Sequence, residues 1–435
     1  MDARYYFEGK RVTVMGLGLL GRGVGDVEFL AEMGADIIVT DLQDADHLAP
    51  SLVRLAAYPN ITYVLGEHRL QDFRSRDLIL KSAGVPLRSR YIDEAKRHRI
   101  PVRMSADLFA ELSGATIVGI TGTRGKTTTT CLLYEILRAA GLKAVLGGNI
   151  HGVSTLALLP KVSAETVAVL ELDSWQLRGF RAIEKSPSVA VFTTFYPDHL
   201  SYYRNSLSDY FADKQVIYAY QKPGDTLIVG PQVCSLIRAA SPLAAARAHV
   251  ADNSLVGEWP RLLVGKHNVD NIACAVTAAH TLGVPDEVSK AVVADFAPVA
   301  GRLQKIYDKN GIAIYNDAAA IIPEATIAAI RALAPSPLIL IIGGGEKGTS
   351  LDALVETIQS TTRRIILLAG TGTERMRVHF PDVPVYQSLA EAVDAAYALA
   401  TAGDSILFSP GLSSRGMFPD AHTRSETFAT LVRNL

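Results

Sequence analysis

Short apolar runs recur along this chain and alternate with segments of helical period, which restricts it to parallel α/β architecture almost throughout. In the first hundred residues the runs are RVTVMG, DIIVTD, ITYVLG and LILKSAG. KAVLGG, VAVLELD, SVAVFTTF and TLIVG follow, and IAIYND, LILIIGG, RIILLAG, PVYQ and SILFSP complete the series. The chain has 435 residues, so a soft prior of about 150 residues per domain gives about three domains. No Pro- or Gly-rich linker separates them, and there are no repeats or low-complexity tracts.

Two of these runs lead into glycine-rich turns. Directly after ATIVG comes ITGTRGKTTTT, residues 120–130. A lysine at a helix N-terminus opposes the macrodipole, so the pattern calls for an anion. Loop N–H groups and the helix N-terminus form a phosphate cradle, Lys126 reaches the outer phosphates, and a threonine hydroxyl suits Mg²⁺. Ile120 stands where the strict motif has glycine, so the loop is a variant, with Gly122 and Gly125 retained. Its helix carries Leu132, Leu133, Ile136 and Leu137 on one stripe and ends at Gly141. Near the start, Gly16, Gly18 and Gly21 form G-x-G-x-x-G, with Asp41 at the end of the next strand. This is a dinucleotide-binding fingerprint, and the same turn suits any pyrophosphate-bearing ligand. The nucleotide stays open.

Further candidates sit at the ends of apolar runs, where parallel sheets bind ligands. Glu171 ends VAVLE, and Asp198 and His199 follow SVAVFTTF. A carboxylate and an imidazole beside a phosphate loop suit Mg²⁺, although Glu171 could equally cap or pair, and imidazole is a mediocre Mg²⁺ ligand. Lys214 reads alone as a solvated helix lysine. His267, Asn268 and Asn271 open a helix, where an asparagine suits an adenine edge or a cap. Arg302, Asp317, Lys347 and the loop SPGLSSRGMF complete the set.

Composition excludes several classes. Basic and acidic residues number 43 and 44, for a net charge of −1, so nothing suggests a nucleic-acid partner. Cys131, Cys234 and Cys274 are far apart and odd in number, and Cys131 and Cys274 lie in apolar helical contexts that suit buried thiols. The N-terminal MDARYYFEGKR lacks an apolar signal core, and no window approaches about 18 uninterrupted apolar residues. A cytoplasmic protein without membrane partners is expected.

ITGTRGKTTTT resembles the ATP loop of the Mur ligases and folylpolyglutamate synthetases, usually TGTNGKT. The resemblance to the Mur ligases extends along essentially the whole chain: GLGLLG, SAG (82–84), GGNI (147–150), LELDSWQL, PDHL, the ADK of Lys214, GKHNVDN, the GR of Arg302, ND (316–317), PEAT, the GGG–K region and SP…F. The synthetases lack such an N-terminal domain. The resemblance implies a Rossmann-like N-terminal domain over 1–108, a P-loop ATPase-like domain over 109–299 and a Rossmann-like C-terminal domain over 300–435. It also implies an ATP-dependent amide ligase of peptidoglycan precursor synthesis, most similar to those that add D-glutamate to UDP-N-acetylmuramoyl-L-alanine. The carboxylate would be activated as an acyl phosphate and then attacked by the amine. ATP would be held by Gly122, Thr123, Gly125, Lys126, Thr127, Thr128, Asn271, Arg302 and Asp317. Two Mg²⁺ ions would involve Thr127, Glu171, His199 and Lys214, the last of which matches a lysine carbamylated in the family. Lys126, His199 and Lys214 would be catalytic. The uridine nucleotide would lie on Gly18, Leu19, Leu20, Asp41, Ser82, Gly84 and Asn149, and the amino acid on Lys347 and Ser414. A monomer that closes about a hinge near residue 300 is expected.

Four positions depart from the family pattern. Arg124 replaces the usual asparagine, Asp173 a small hydroxyl, Ala319 a lysine and Ala421 an aromatic residue. The last two touch the amino-acid pocket in the family, so another amino acid is an alternative, with Arg415 or Arg424 as substitute cations. An NAD-linked oxidoreductase using GLGLLG is a further alternative, as is a nucleotide-binding protein without activity.

Overall fold

The computed structural model describes residues 3–19, 21–86, 88–240 and 247–435. Three sheets follow one another along the chain. The first runs, edge to edge, Ile61–Leu65, Asp36–Asp41, Arg11–Met15, Leu78–Lys81 and Val102–Arg103, all parallel. Its order reverses beside Arg11–Met15, which places a crevice at the carboxyl ends of Met15 and Lys81. The second runs Arg247–Val250, Thr226–Val229, Val189–Phe192, Thr116–Thr121, Val167–Glu171 and Ala144–Gly148, again all parallel. Thr116–Thr121 is central, so the loop that leaves it emerges between two neighbouring strands.

The third sheet runs Gln304–Lys309, Ile312–Asn316, Ser405–Phe408, Leu338–Gly343, Arg364–Leu368 and Val385–Tyr386. Its first two strands are antiparallel. Asn310 and Gly311 join them with φ of 55° and 74°, which suits the right-handed twist of the flanking strands. Three strands lie outside the expected runs: Val102–Arg103, Arg247–Val250 and Gln304–Lys309. All are sheet edges, where one flank lacks a partner strand and the apolar signal weakens.

The cores divide the molecule unevenly. One apolar cluster begins with Phe7 and Val12, passes through Leu108 and Phe109, and continues to Leu170, Phe180 and Phe211. The expected boundary at 108 falls inside the helix Ser105–Leu112, which is buried in that shared core. Beyond Phe296 the situation changes, because the clusters on the two faces of the third sheet contain no residue before Leu303. The third body meets the others through Arg302 to Thr127, Lys347 to Asp198, the rings of His151 and His422 stacked at 3.7 Å, and the helix Pro323–Leu333 against the helix Lys266–Thr281. No helix among the described residues is long and apolar enough to cross a membrane.

A buried carboxyl ties the first two bodies together. Asp26 accepts hydrogen bonds from Ser105 Oγ at 2.7 Å and Ser154 Oγ at 2.6 Å, and burial raises it to about 6 despite them. A folded-state value above the unfolded one gives stability that is fully present below about pH 4 and lost by about pH 6. We predict that thermal melts of Asp26→Asn, which cannot ionise, will lack this fall, a difference of about 3 kcal/mol between the plateaus. Identical pH profiles for the two proteins would refute this.

Candidate functional site

Steric necessity shapes the central loop. Gly122 has φ of +146°, and a Cβ there would approach Thr193 Oγ1 to 2.0 Å; Gly125 caps the next helix at +88°, where a Cβ would approach Asn271 Oδ1 to 2.2 Å. Thr193 and Thr194, at the end of the neighbouring strand, brace the loop. Both hydroxyls donate to the Arg124 carbonyl, and the Arg124 N–H donates to Thr194 Oγ1 at 2.9 Å. The helix Lys126–Ala139 buries Leu132, Leu133, Ile136 and Leu137, and Gly141 follows it in the left-handed region. Its threonines have separate tasks: Thr127 Oγ1 accepts from Arg302, Thr129 and Thr130 bond backbone carbonyls, and Thr128 is buried.

Lys126 folds back over the loop, and its Nζ donates to the carbonyls of Gly122 at 3.0 Å and Thr123 at 3.3 Å. Burial lowers its pKa first, and the cations Arg124 and Arg302 add to that. Lys214 is almost fully buried rather than a solvated helix lysine, and its Nζ donates to the Gly122 carbonyl at 2.9 Å. Desolvation, then Lys126, pushes its pKa well below the ordinary lysine value.

Glu171, at the end of its strand, is 3% exposed. One carboxylate oxygen accepts from Asn149 Nδ2 at 3.1 Å, and the other has no hydrogen-bond partner. Asn149 is held in turn by Arg22, the first residue of the helix after the N-terminal glycine turn. His199 adopts φ of +55° and packs between Trp175, 4.7 Å between centroids, and Tyr210. Burial lowers it to about 4, leaving the ring neutral at pH 7. Asp198 is engaged with cations: it pairs with Lys347 from the third body and with Arg124 at 3.5 Å. These cations and His199 hold its carboxyl below the usual carboxylate range despite desolvation. Asp173 caps the helix Ser174–Ala182, accepting from the Gln176 N–H at 2.7 Å.

The third body forms the opposite wall. Arg302 Nη2 lies 3.3 Å from Thr127 Oγ1. Asp317 accepts from the Leu303 N–H and Ser409 Oγ, and burial raises it to about 7. A cavity of about 140 Å³ lies between Thr123–Thr128, Asn271, Arg302, Asp317 and Ala319. Asn271 donates to Asn268 Oδ1 at 3.0 Å. Lys347 reaches the central body, whereas Ser414 does not line the cavity, and its carbonyl accepts from the Phe418 N–H at 3.0 Å. Ala421 opens the last helix, capped by Asp420. Arg424 is buried and donates to the carbonyls of Ala318 and Leu412, and Arg415 is exposed.

The N-terminal glycine turn is arranged differently. Asp41 accepts the N–H groups of Leu17 at 2.7 Å and Gly18 at 3.1 Å, so its carboxylate fills part of the turn. Gly18, Leu19, Ser82 and Gly84 are exposed around it, and Leu20 lies outside the described residues. A small cavity nearby is lined by Ser82, Arg22, Lys81 and Gln176. Lys81 is buried, donates to the carbonyls of Ser82 and Ala83, and is lowered by burial to about 8. Sequence reasoning passed over Arg22 and Lys81, since neither stands in a motif that signals chemistry.

Three family models match the chain in turn: the Mur ligase MurD-like N-terminal domain over residues 10–104, the Mur ligase middle domain over 120–234 and the Mur ligase glutamate ligase domain over 301–412. The UDP-N-acetylmuramoylalanine–D-glutamate ligase of Roseiflexus sp. (strain RS-1) is 37% identical, over 98% of this chain and 99% of its own length. The enzyme of that name from Treponema pallidum (strain Nichols) is 32% identical over 99% of each. The crystal structure of the UDP-N-acetylmuramate–alanine ligase MurC from Thermotoga maritima shares the fold, with a TM-score of 0.64 at 16% identity, over 98% of this chain and 99% of that one. A phosphate loop in the middle of three α/β bodies, matched end to end by such relatives, makes this chain a member of the Mur ligase family.

Proposed function

We infer that the chain joins D-glutamate to UDP-N-acetylmuramoyl-L-alanine at the expense of ATP, in peptidoglycan precursor synthesis. One observation carries this reading beyond family membership: the phosphate loop is faced across a single cavity by Arg302 and Asp317 of the third body. A nucleotide held there would touch two bodies at once, which couples its binding to domain closure. Phosphoryl transfer depends on alignment and charge neutralisation. Lys126 and the N–H groups of Gly125, Lys126, Thr127 and Thr128 suit the phosphates, with Gly122 and Thr123 shaping the loop. Asn271, Arg302 and Asp317 suit the rest of the nucleotide. The substrate carboxylate takes the γ-phosphoryl group to give an acyl phosphate and ADP. The amine of D-glutamate then attacks the acyl carbon and phosphate leaves.

Two Mg²⁺ ions fit the residues present. The unpartnered oxygen of Glu171 and the Thr127 hydroxyl would hold one, and neutral His199 with Lys214, once carbamylated, the other. Bound there, the ions would neutralise phosphate charge. Lys214 suits carbamylation because desolvation lowers its pKa, and an amine that gives up its proton more readily is the form nucleophilic towards carbon dioxide. We further propose three domains over 1–108, 109–299 and 300–435, a cytoplasmic monomer, and a uridine-nucleotide site over Gly18, Leu19, Leu20, Asp41, Ser82, Gly84 and Asn149. Lys347 and Ser414 would serve the amino acid. An NAD-linked oxidoreductase is disfavoured, because it leaves the central loop without a task.

The direct test is phosphate release from ATP with UDP-N-acetylmuramoyl-L-alanine across a panel of amino acids. D-Glutamate should give the fastest release, and a different winner would reassign the substrate. Two variants test the machinery. Lys126→Ala should lower kcat about a thousandfold or more while its melting temperature stays within about 3 °C of wild type; near-normal turnover would remove the loop from the mechanism. Lys214→Ala should be inactive and regain part of its activity with formate, acetate or propionate, which supply the missing anion. Absence of rescue by all three would count against the carbamate.

A further inference from the structure

Arg124 stands in the phosphate loop where the family pattern has asparagine, and no part of the reaction described so far uses its side chain. The backbone of this residue is fixed through both its N–H and its carbonyl to Thr193 and Thr194. The guanidinium is not. It is 18% exposed, and its Nε and Nη2 are shut off from solvent without any hydrogen-bond acceptor. Nη2 lies 3.5 Å from Asp198 Oδ2, close enough for charge attraction but without a hydrogen bond. Burying such donors unpaired is costly, and a forked guanidinium meets a carboxylate with two parallel bonds.

Charge around Asp198 points the same way. Its carboxylate is shared between Arg124 of the central body and Lys347 of the third. Two cations therefore share one anion at the place where the two bodies meet. Arg124 also lines the cavity that contains Ala319, the position where the pattern's lysine is missing. Of the alternative arginines, Arg424 is spent on the carbonyls of Ala318 and Leu412, whereas Arg415 is exposed and lies near Lys347 without lining this cavity.

We propose that Arg124 is a substrate-binding residue that receives a carboxylate of the incoming amino acid, beside Lys347 and in place of the cation absent at Ala319. This rests on the ligase reading above. Asp198 orders the two cations before the ligand arrives, so the pocket is completed only when the third body docks.

The test is a set of initial-rate titrations of D-glutamate, ATP and the uridine-nucleotide substrate with wild type, Arg124→Ala and Arg124→Lys. Arg124→Ala should raise KM for D-glutamate about 10- to 100-fold, as loss of a charged hydrogen-bonding pair does. Its preference for D-glutamate over D-glutamine should fall, KM for ATP should stay within about threefold, and Arg124→Lys should recover part of the loss. An unchanged KM for D-glutamate would overturn the proposal. An equal or larger rise in KM for ATP would also overturn it and make Arg124 a phosphate ligand. Melting curves and ADP titrations verify folding, and Arg124→Lys carries the test if Arg124→Ala does not fold. A wild-type protein with no phosphate release on D-glutamate would overturn the ligase reading itself, an outcome distinct from failure of the variants alone.

Discussion

Desolvated positive charge around one loop governs the arrangement of this molecule. Lys126, Lys214, Arg124, Arg302 and Lys347 converge there from the central and third bodies, and burial lowers the pKa of Lys126, Lys214, Arg302 and Lys347. Asp173, Asp198, Glu171 and Asp317 are carboxylates that act on them. Like charges brought out of water repel strongly unless anions intervene. The lysines meet this by donating to loop carbonyls, so the loop is held in shape by the groups that would act on its ligand. The clustered cations thus suit a polyanion such as a chain of phosphates, whose charge would offset their mutual repulsion.

Docking of the third body follows from the same charges. The first two bodies share an apolar core, and the clusters of the third stop at Leu303. Apolar burial resists separation in proportion to area, whereas in a buried ion pair such as Lys347 to Asp198 the attraction is largely offset by the desolvation of both groups, so exchanging it for water or a ligand has a smaller net cost. The segment between Phe296 and Leu303 belongs to none of the apolar clusters on either side. The left-handed backbone of Gly301 and Leu303 beside Arg302 sets the direction in which the chain leaves.

Much of this was legible in the sequence, for reasons that can be located. Runs such as VAVLE and LILIIG are buried on both faces, so the composition of each reports its place directly. The loop was legible because Gly122 and Gly125 have no room for a Cβ. The edge strands were not, since Arg247–Val250 is exposed at every residue. Gln304–Lys309 did carry a signal, the Asn310–Gly311 turn, which periodicity alone overlooks. Lys214 shows a sharper limit. Its neighbours Asp213 and Gln215 look like those of a solvated helix residue, and only the packing of that helix against the loop reveals its burial.

The two glycine turns show why a motif does not determine what it binds. In the N-terminal turn, Asp41 occupies the N–H groups of Leu17 and Gly18, so the turn contains its own anion. Among the described residues no carboxylate plays that part in the central loop, and its helix begins beside Arg124, Lys126 and Arg302. Between the turns runs a chain of contacts, from Arg22 at the start of the helix after the N-terminal turn, through Asn149, to Glu171. Arg22 accounts for the orientation of Asn149, because an amide oxygen bound to a guanidinium leaves its nitrogen to donate. That donation engages one oxygen of Glu171 and leaves the other unpartnered, facing the site. The geometry of a central-body carboxylate is thus set from the N-terminal body, across the interface that their shared apolar core holds rigid.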